Sequence, residues 1–364
     1  MPLESELKAS IVTTDSNELQ LELPVDFWNA PKVLVAVSGG SDSFSLIHAL
    51  QNQRRKLAQS RPIPEVIAFH FDHRWQDRST ELARWVETRL KACGIATVLR
   101  QREDDEAVQS RKPAEASNRV GPQSEGKARA QRYAALAEVA ESQGATYALT
   151  GHTRDDQAET VLMRIARGTG LAGLTGIPQQ RQLSEHCQLL RPLLHESRQR
   201  LRDYLQGIGQ EYWDDPTNAD PHWTRNRVRQ SVLPWLRQNL SPQIDASLVR
   251  LAQLASEHRE VVQCLAEVHR GAVLECGDKH LVINVRLWAQ LSESVVRTLL
   301  VYWWGQARFP LQEMNFEHWR RLATLICRPV EDGLQPRWPS ELHFPGPIVA
   351  KRSAGVLRIV TQLK

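Results

Sequence analysis

Short, unbroken apolar runs alternate with stretches of helical spacing through the first half of the chain. Val33-Leu34-Val35-Ala36-Val37 contains no polar residue and ends in Ser-Gly-Gly. Such a run predicts a strand buried on both faces, as in a parallel sheet. Phe44 to Leu57 follows with helical character, and the unit then recurs. Glu65 to Phe71 reads as a second strand and Ser79 to Ala92 as a helix capped by Ser79 or Thr80. After Gly94, Ile95 to Leu99 is a third strand. Lys127 to Gln143 is helical, with Tyr133, Leu136, Ala137 and Ala140 on one face. Thr146 to Thr150 is a fourth strand, leading through Gly151-His152 into another helix. Alternating β and α elements predict a right-handed, doubly wound α/β parallel sheet. Ligands of such sheets sit at the carboxyl ends of the strands.

The alternation stops after about residue 200. Helical patterns dominate from Leu240 on (Ala246 to Val268, Ser292 to Trp304), with β-like runs at Leu281 to Val285 and Ala354 to Val360. The expected organisation is a polar, flexible lead-in over residues 1–28, an α/β domain over 29–215 and a smaller, mostly helical domain over 216–364. Residues 101–125, rich in charge, Pro, Gly and Ser, read as a mobile loop.

Composition narrows the class. No eighteen-residue apolar run is present, and Met1 to Glu6 lacks the pattern of a secretory signal, so a cytoplasmic protein without a membrane span is expected. The five cysteines are scattered without a C-x-x-C pair, which argues against disulfides, structural zinc and an iron–sulfur cluster. A net charge of +4 says little about partners. Its distribution says more: Arg225, Arg227, Arg229 and Arg237 fall in a stretch without acidic residues.

The candidate chemistry lies at two strand ends. In Ser38-Gly39-Gly40-Ser41-Asp42-Ser43, the glycines allow a tight turn and close approach of an anion. The serines add hydroxyl donors, and the helix starting near Asp42 aims its positive end at the loop. The spacing is neither a Walker loop nor a dinucleotide fingerprint. Asp42 repels phosphate unless a cation intervenes, which suggests Mg²⁺; the bland alternative is a Gly-rich turn with Asp42 as a cap. In the second motif, Gly151 to Thr160, His152, Asp155, Asp156 and Glu159 fall at i, i+3, i+4 and i+7, one face of a helix. Ala158, Val161, Leu162 and Ile165 form an apolar stripe expected to pack on the sheet. Clustered carboxylates call for nearby cations, unless they are a solvated helix start.

Ser38 to Ser43 resembles the SGG-x-DS signature of the PP-loop ATP pyrophosphatases. Within that superfamily, Gly151 to Thr160 continuing to Arg167-Gly168-Thr169-Gly170-Leu171-Ala172-Gly173-Leu174 is similar to the block of the tRNA(Ile)-lysidine synthetases. Further matches follow in order: Ala128-Arg129 through Arg132-Tyr133, Arg191-Pro192-Leu193-Leu194, Trp213 to Asn218, Arg225-Asn226-Arg227-Val228-Arg229 and Leu233-Pro234. The resemblance covers about residues 30–240 and implies a PP-loop catalytic domain over 29–215 and a tRNA-binding domain over 216–364.

It further implies that ATP adenylates C2 of the wobble cytidine of a CAU-anticodon tRNA(Ile), that L-lysine displaces AMP, and that no obligate protein partner takes part. The site it implies comprises the loop Ser38–Ser43 on the ATP phosphates, Asp42 on Mg²⁺, and Asp156 binding and deprotonating lysine. His152 with Arg129 or Arg132 surrounds the nucleotide, Asp155 and Glu159 lie nearby, and Arg225, Asn226, Arg227 and Arg229 contact tRNA. The chain departs from the family at His73-Arg74-Trp75-Gln76, and the third C-terminal domain of longer members is expected to be absent.

The arginine block, with Trp223 and Trp235, could equally be a helix laid over the core; Trp235 is expected to be core, and Trp288, Trp303, Trp304, Trp319 and Trp338 packing groups. Competing readings are a tRNA thiolase, which needs catalytic or cluster-binding cysteines; an amidotransferase, which needs a glutaminase domain; and an RNA-binding relic, which would have no use for clustered carboxylates.

Overall fold

The computed structural model describes residues 18–72, 79–101, 122–214, 223–311, 313–327 and 341–362. The chain divides into two compact units, Met1–Gln253 and Leu254–Lys364. The first alternates β1 (Lys32–Ala36), α1 (Ser41–Leu57), β2 (Glu65–Asp72), α2 (Ser79–Ala92), β3 (Ala96–Gln101), α3 (Pro122–Gln143), β4 (Tyr147–Thr150) and α4 (Arg154–Ala166). It continues through α5 (Leu171–Leu174), β5 (Gln180–Gln182), β6 (Gln188–Leu190), α6 (Arg198–Gly207) and α7 (Thr224–Arg227). A π-helical turn, Val228–Val232, leads into α8 (Leu233–Asn239) and α9 (Ile244–Val268).

The sheet order is β3-β2-β1-β4-β6-β5. All neighbours are parallel except the edge strand β5. Val33, Leu34 and Val35 are fully buried because helices cover both faces. Val33 and Val35 pack with Phe44 of α1 and Leu201 of α6; Leu34 points the other way, to Leu136 and Val139 of α3. From β1 the chain moves outward to β2 and β3, then returns to place β4 on the other side of β1. The crevice between the carboxyl ends of β1 and β4 is therefore a topological switch point.

Several expectations are corrected. The lead-in is docked where described, with Leu19 and Phe27 buried in the core. Helix α3 starts at Pro122, inside the stretch read as loop; residues 102–121 lie outside the described residues. Strands β5 and β6 were not anticipated, since their short segments carry no periodic signal. The apolar stripe of α4 meets helices rather than the sheet: Ala158 and Val161 pack with Val228, Leu233, Leu248 and Ala252. That cluster draws residues 223–253 into the first unit, so the division falls at 253/254 instead of 215/216. Ile165 is exposed, and so is Trp235, at 61%.

The second unit contains a five-stranded antiparallel sheet, ordered β7-β8-β11-β10-β9. Its strands are β7 (Val273–Gly277), β8 (His280–Asn284), β9 (Glu341–Phe344), β10 (Ile348–Ser353) and β11 (Val356–Thr361). The sheet packs on α10 (Val285–Trp288), α11 (Glu293–Gln306) and α12 (Phe316–Thr324). This unit is mixed rather than mostly helical: the β-like runs at 281–285 and 354–360 fall on β8 and β11, and the three other short strands carry no clear period in sequence. Trp288, Trp303, Trp304 and Trp319 form its buried aromatic core, as expected; Trp338 lies outside the described residues.

Candidate active site

A cleft of about 940 Å³ opens at the switch point, lined by the loop after β1, the turn after β4, and residues of α3, α6 and α7. The loop is shaped by its own serines. Ser38 N–H donates to Ser43 Oγ (3.2 Å), Ser43 Oγ donates to Gly40 O (3.0 Å), and Ser41 Oγ donates to Asp42 Oδ1 (3.0 Å). Gly40 is the N-cap of α1 and supplies no side-chain cap. The first-turn N–H groups therefore remain available to an anion. A Cβ on Gly151 would stand 2.9 Å from the carbonyl carbon of Asp42, so β4 closes on the loop only because residue 151 is glycine.

Thr153 and Asp156 form a capping box that starts α4: Thr153 N–H and Oγ1–H donate to Asp156 Oδ2 at 2.8 and 2.9 Å. The other oxygen of Asp156 faces a cluster of guanidinium groups. Arg198 reaches Asp42 Oδ2 (3.1 Å), Asp156 Oδ1 (2.9 Å) and Glu159 Oε1 (3.3 Å). Arg225 binds Asp156 Oδ1 (3.0 Å) and Glu159 Oε2 (2.8 Å). Arg229 binds Glu159 Oε1 (2.7 Å) and Oε2 (3.2 Å), with Asp156 Oδ1 at 3.5 Å. Asp155 accepts the backbone N–H of Arg198 at 2.8 Å. Three carboxylates, from Asp42, Asp156 and Glu159, thus face three guanidinium ions at the strand ends.

The electrostatics follow from the pairing. Burial alone would raise Asp156, but Arg225 and Arg198 hold its carboxyl far below the usual range. Burial likewise opposes ionisation of Glu159, and Arg229 and Arg225 carry it below its ordinary value. Asp42 goes the other way: burial outweighs its one guanidinium partner, and Asp156 adds repulsion. Burial drives His152 down to about 3, with Asp156 pulling upward, so its ring is neutral at pH 7. His152 Nδ1 lies 2.9 Å from Thr150 Oγ1.

A depressed histidine has a defined pH signature. The unfolded chain binds a proton near pH 6.5 that the folded site refuses down to about pH 3. The stabilisation is therefore complete above pH 6.5 and is lost as pH falls through this window, by at most about 5 kcal/mol before solvent screening in the cleft. His152→Gln is expected to show a shallower fall in Tm between about pH 7 and about pH 4 than the wild type. Identical slopes would contradict the neutral imidazole.

The sequence candidates converge on this cleft. Ser38, Gly40, Ser41, Asp42, Ser43, His152 and Asp156 line it, as do Arg129, Arg132, Arg225, Asn226 and Arg229. Arg129 and Arg132 lie over the ring of Tyr133, at 5.2 and 5.6 Å from its centroid. Arg225 and Arg229 turn inward to carboxylates, whereas Arg227 is exposed and bonds Thr224 Oγ1 (3.3 Å). Arg198 is the residue that sequence reasoning missed. The available signal was charge balance, since a cluster of buried carboxylates demands cations and Arg198 follows the quoted Arg191-Pro192-Leu193-Leu194. Among the described residues no helix is long and apolar enough to cross a membrane, and no group of three or more His, Cys, Asp or Glu could hold a metal.

The PP-loop domain family matches residues 12–236. A tRNA(Ile)-lysidine synthase of Nostoc sp. is 32% identical over 330 residues, covering 88% of each chain. One from Salinispora tropica is 43% identical over 224 residues, 62% of each chain. A third, from Leifsonia xyli, is 36% identical over 300 residues, 81% of this chain and 82% of that protein. With both motifs in one cleft and these relatives covering most of its length, the chain belongs to the tRNA(Ile)-lysidine synthase family of PP-loop proteins.

Proposed function

We propose that this chain ligates L-lysine to C2 of the wobble cytidine of a CAU-anticodon tRNA(Ile), with ATP as the activating substrate. The C2 oxygen attacks the α-phosphorus of ATP and pyrophosphate leaves. Lysine gives one proton of its ε-ammonium to solvent and attacks C2 as the free amine; the C–N bond forms as the C2–O bond breaks, a second proton passes to solvent, and AMP leaves with the C2 oxygen. Adenylation is needed because that oxygen is otherwise a poor leaving group. The product reads AUA in place of AUG and carries isoleucine identity. On this reading the protein works in the cytoplasm, where tRNA, ATP and lysine meet.

The observation that carries this reading is the juxtaposition of the anion-binding loop and the paired carboxylates in one cleft. The loop Ser38–Ser43 and the start of α1 receive the phosphates. Asp42 fits Mg²⁺, because this ion takes hard oxygen donors and is commonly held by one or two carboxylates together with substrate phosphates. When bound, Mg²⁺ neutralises charge on the departing pyrophosphate. His152 is neutral; with Thr150 Oγ1 donating to Nδ1, its Nε2–H donates to a phosphate oxygen. Arg129 and Arg132 flank the nucleotide, and Arg227 supplies charge for the tRNA backbone.

Asp156, which lines the cleft, receives the lysine side chain, while the buried Glu159 holds Arg225 and Arg229 in place. A carboxylate held as low as Asp156 is a weak proton acceptor, so its part is to bind and orient the ammonium rather than to take its proton. The catalytic part corresponds to the first unit, while the second unit's role is contact with tRNA.

The test combines purified protein, Mg·ATP, radiolabelled lysine and CAU-anticodon tRNA(Ile). Label in the tRNA with release of AMP and pyrophosphate is expected. Incorporation from a sulfur donor but not from lysine would favour thiolation, although among the described residues no cysteine lines the cleft. Absence of any ATP turnover would mark a relic fold.

A further inference from the structure

We infer that the backbone N–H of Trp213 is a positioning group for the nucleotide, fixing the plane of the Gly39–Gly40 peptide so that the Gly40 N–H serves the phosphates. This rests on the reading of the cleft as the ATP site. Trp213 N–H donates to Gly39 O at 2.9 Å, across a separation of most of the first unit's sequence. No cis peptide occurs among the described residues, and a trans peptide directs its N–H opposite to its C=O. With the Gly39 carbonyl held by Trp213, the Gly40 N–H is turned away from that segment and joins the open first turn of α1. Gly40 itself lines the cleft.

The tether is needed because Gly-Gly is the least constrained dipeptide available. A flipped peptide would present the carbonyl oxygen of Gly39 to phosphate, replacing an attractive dipole with a repulsive one. The loop's own serine bonds involve Ser38, Ser41, Ser43 and the carbonyl of Gly40, and none of them holds this peptide. Gly39 has φ +98°, and a Cβ there would meet Leu82 Cδ1 at 2.7 Å, so α2 lies hard against the loop from behind. The tethering segment is itself braced on α2: Glu211 pairs with Arg89, and the Trp213 ring lies 5.8 Å from that of Trp85. Helix α2 thus holds the peptide through an intermediary that no local motif encodes.

Two substitutions at one position separate the N–H from the indole. Trp213→Pro removes the donor; Trp213→Ala removes the ring and keeps the donor. Isothermal titration of the full chain with Mg·pyrophosphate and with Mg·ATP is the readout. The proline variant is expected to bind both at least tenfold more weakly, with affinity for CAU tRNA(Ile) unchanged, and the alanine variant, which loses one brace on α2 but keeps the donor, to lose at least threefold less than the proline variant. Wild-type pyrophosphate affinity in the proline variant, or an equal loss in both variants, would overturn the inference.

Should the proline variant fail to fold, amide hydrogen exchange of the wild type decides. Linkage requires that saturating pyrophosphate slow exchange at the Trp213 amide; an unchanged rate would overturn the proposal. A wild-type chain that binds neither ATP nor pyrophosphate would remove the nucleotide site itself, and the tether with it.

Discussion

Replacing Arg198 by Ala is expected to abolish lysine incorporation and to lower the Tm of the first unit by roughly 6–20 °C. The guanidinium is largely buried and contacts Asp42, Asp156 and Glu159 together. Removing one partner of a buried ionic cluster costs about 3–5 kcal/mol, because the remaining charges are left desolvated without compensation. For a unit of 253 residues, each kcal/mol shifts Tm by about 2–4 °C. Arg198→Lys restores the charge but not the fork that spans three carboxylates, so it should recover part of the stability and little of the activity. Differential scanning calorimetry alongside the lysine assay checks both effects. A Tm within 2 °C of wild type for Arg198→Ala, read against the shift of about 6 °C or more expected from that cost, would show that the cluster contributes nothing to the fold.

Asp156→Asn is expected to separate the two chemical steps. The amide keeps the shape of the side chain and can still accept from Thr153, but it removes the negative charge that receives the ammonium. Single-turnover release of pyrophosphate in the presence of tRNA should stay within tenfold of wild type, while lysine incorporation falls roughly a hundredfold, or about 2.7 kcal/mol in the barrier. If Asp156→Asn incorporates lysine at the wild-type rate, the assignment of Asp156 to the amino acid is wrong. If both steps fall together, Asp156 acts on the nucleotide instead.

The parts of this fold legible from sequence are those written in local pattern. The run Val33–Val37 and its successors announced a parallel sheet, and the loop and the His152–Glu159 stripe fell at strand ends, where the site lies. What stayed hidden depends on contacts across long separations. Arg198 meets Asp42 and Asp156 from a different helix, and no spacing rule records that. The sequence shows Arg225 and Arg229 as charges without a direction; only Ala158 and Val161 packing on Val228 and Leu233 turns them toward Glu159. The same helix-on-helix contact moved the unit boundary to 253/254. Trp235 was expected inside because tryptophan is large and apolar, yet it is 61% exposed, since Leu233 is the residue of α8 that enters the core. Only two strands of the second unit's sheet showed in the sequence, as the β-like runs at 281–285 and 354–360, because strands such as Glu341–Phe344 are too short for a period to register.

In the proposed reaction the cleft adenylates the C2 oxygen of the wobble cytidine, and lysine displaces that oxygen as part of AMP. A CAU-anticodon tRNA(Ile) carrying oxygen-18 only at C2 of its wobble cytidine, turned over with Mg·ATP and lysine, follows that oxygen directly. Mass spectrometry should find the label in the phosphate of AMP, one atom for each lysine incorporated, with pyrophosphate unlabelled. Lysine incorporation with the label in water or in pyrophosphate, and none in AMP, would contradict the adenylated intermediate.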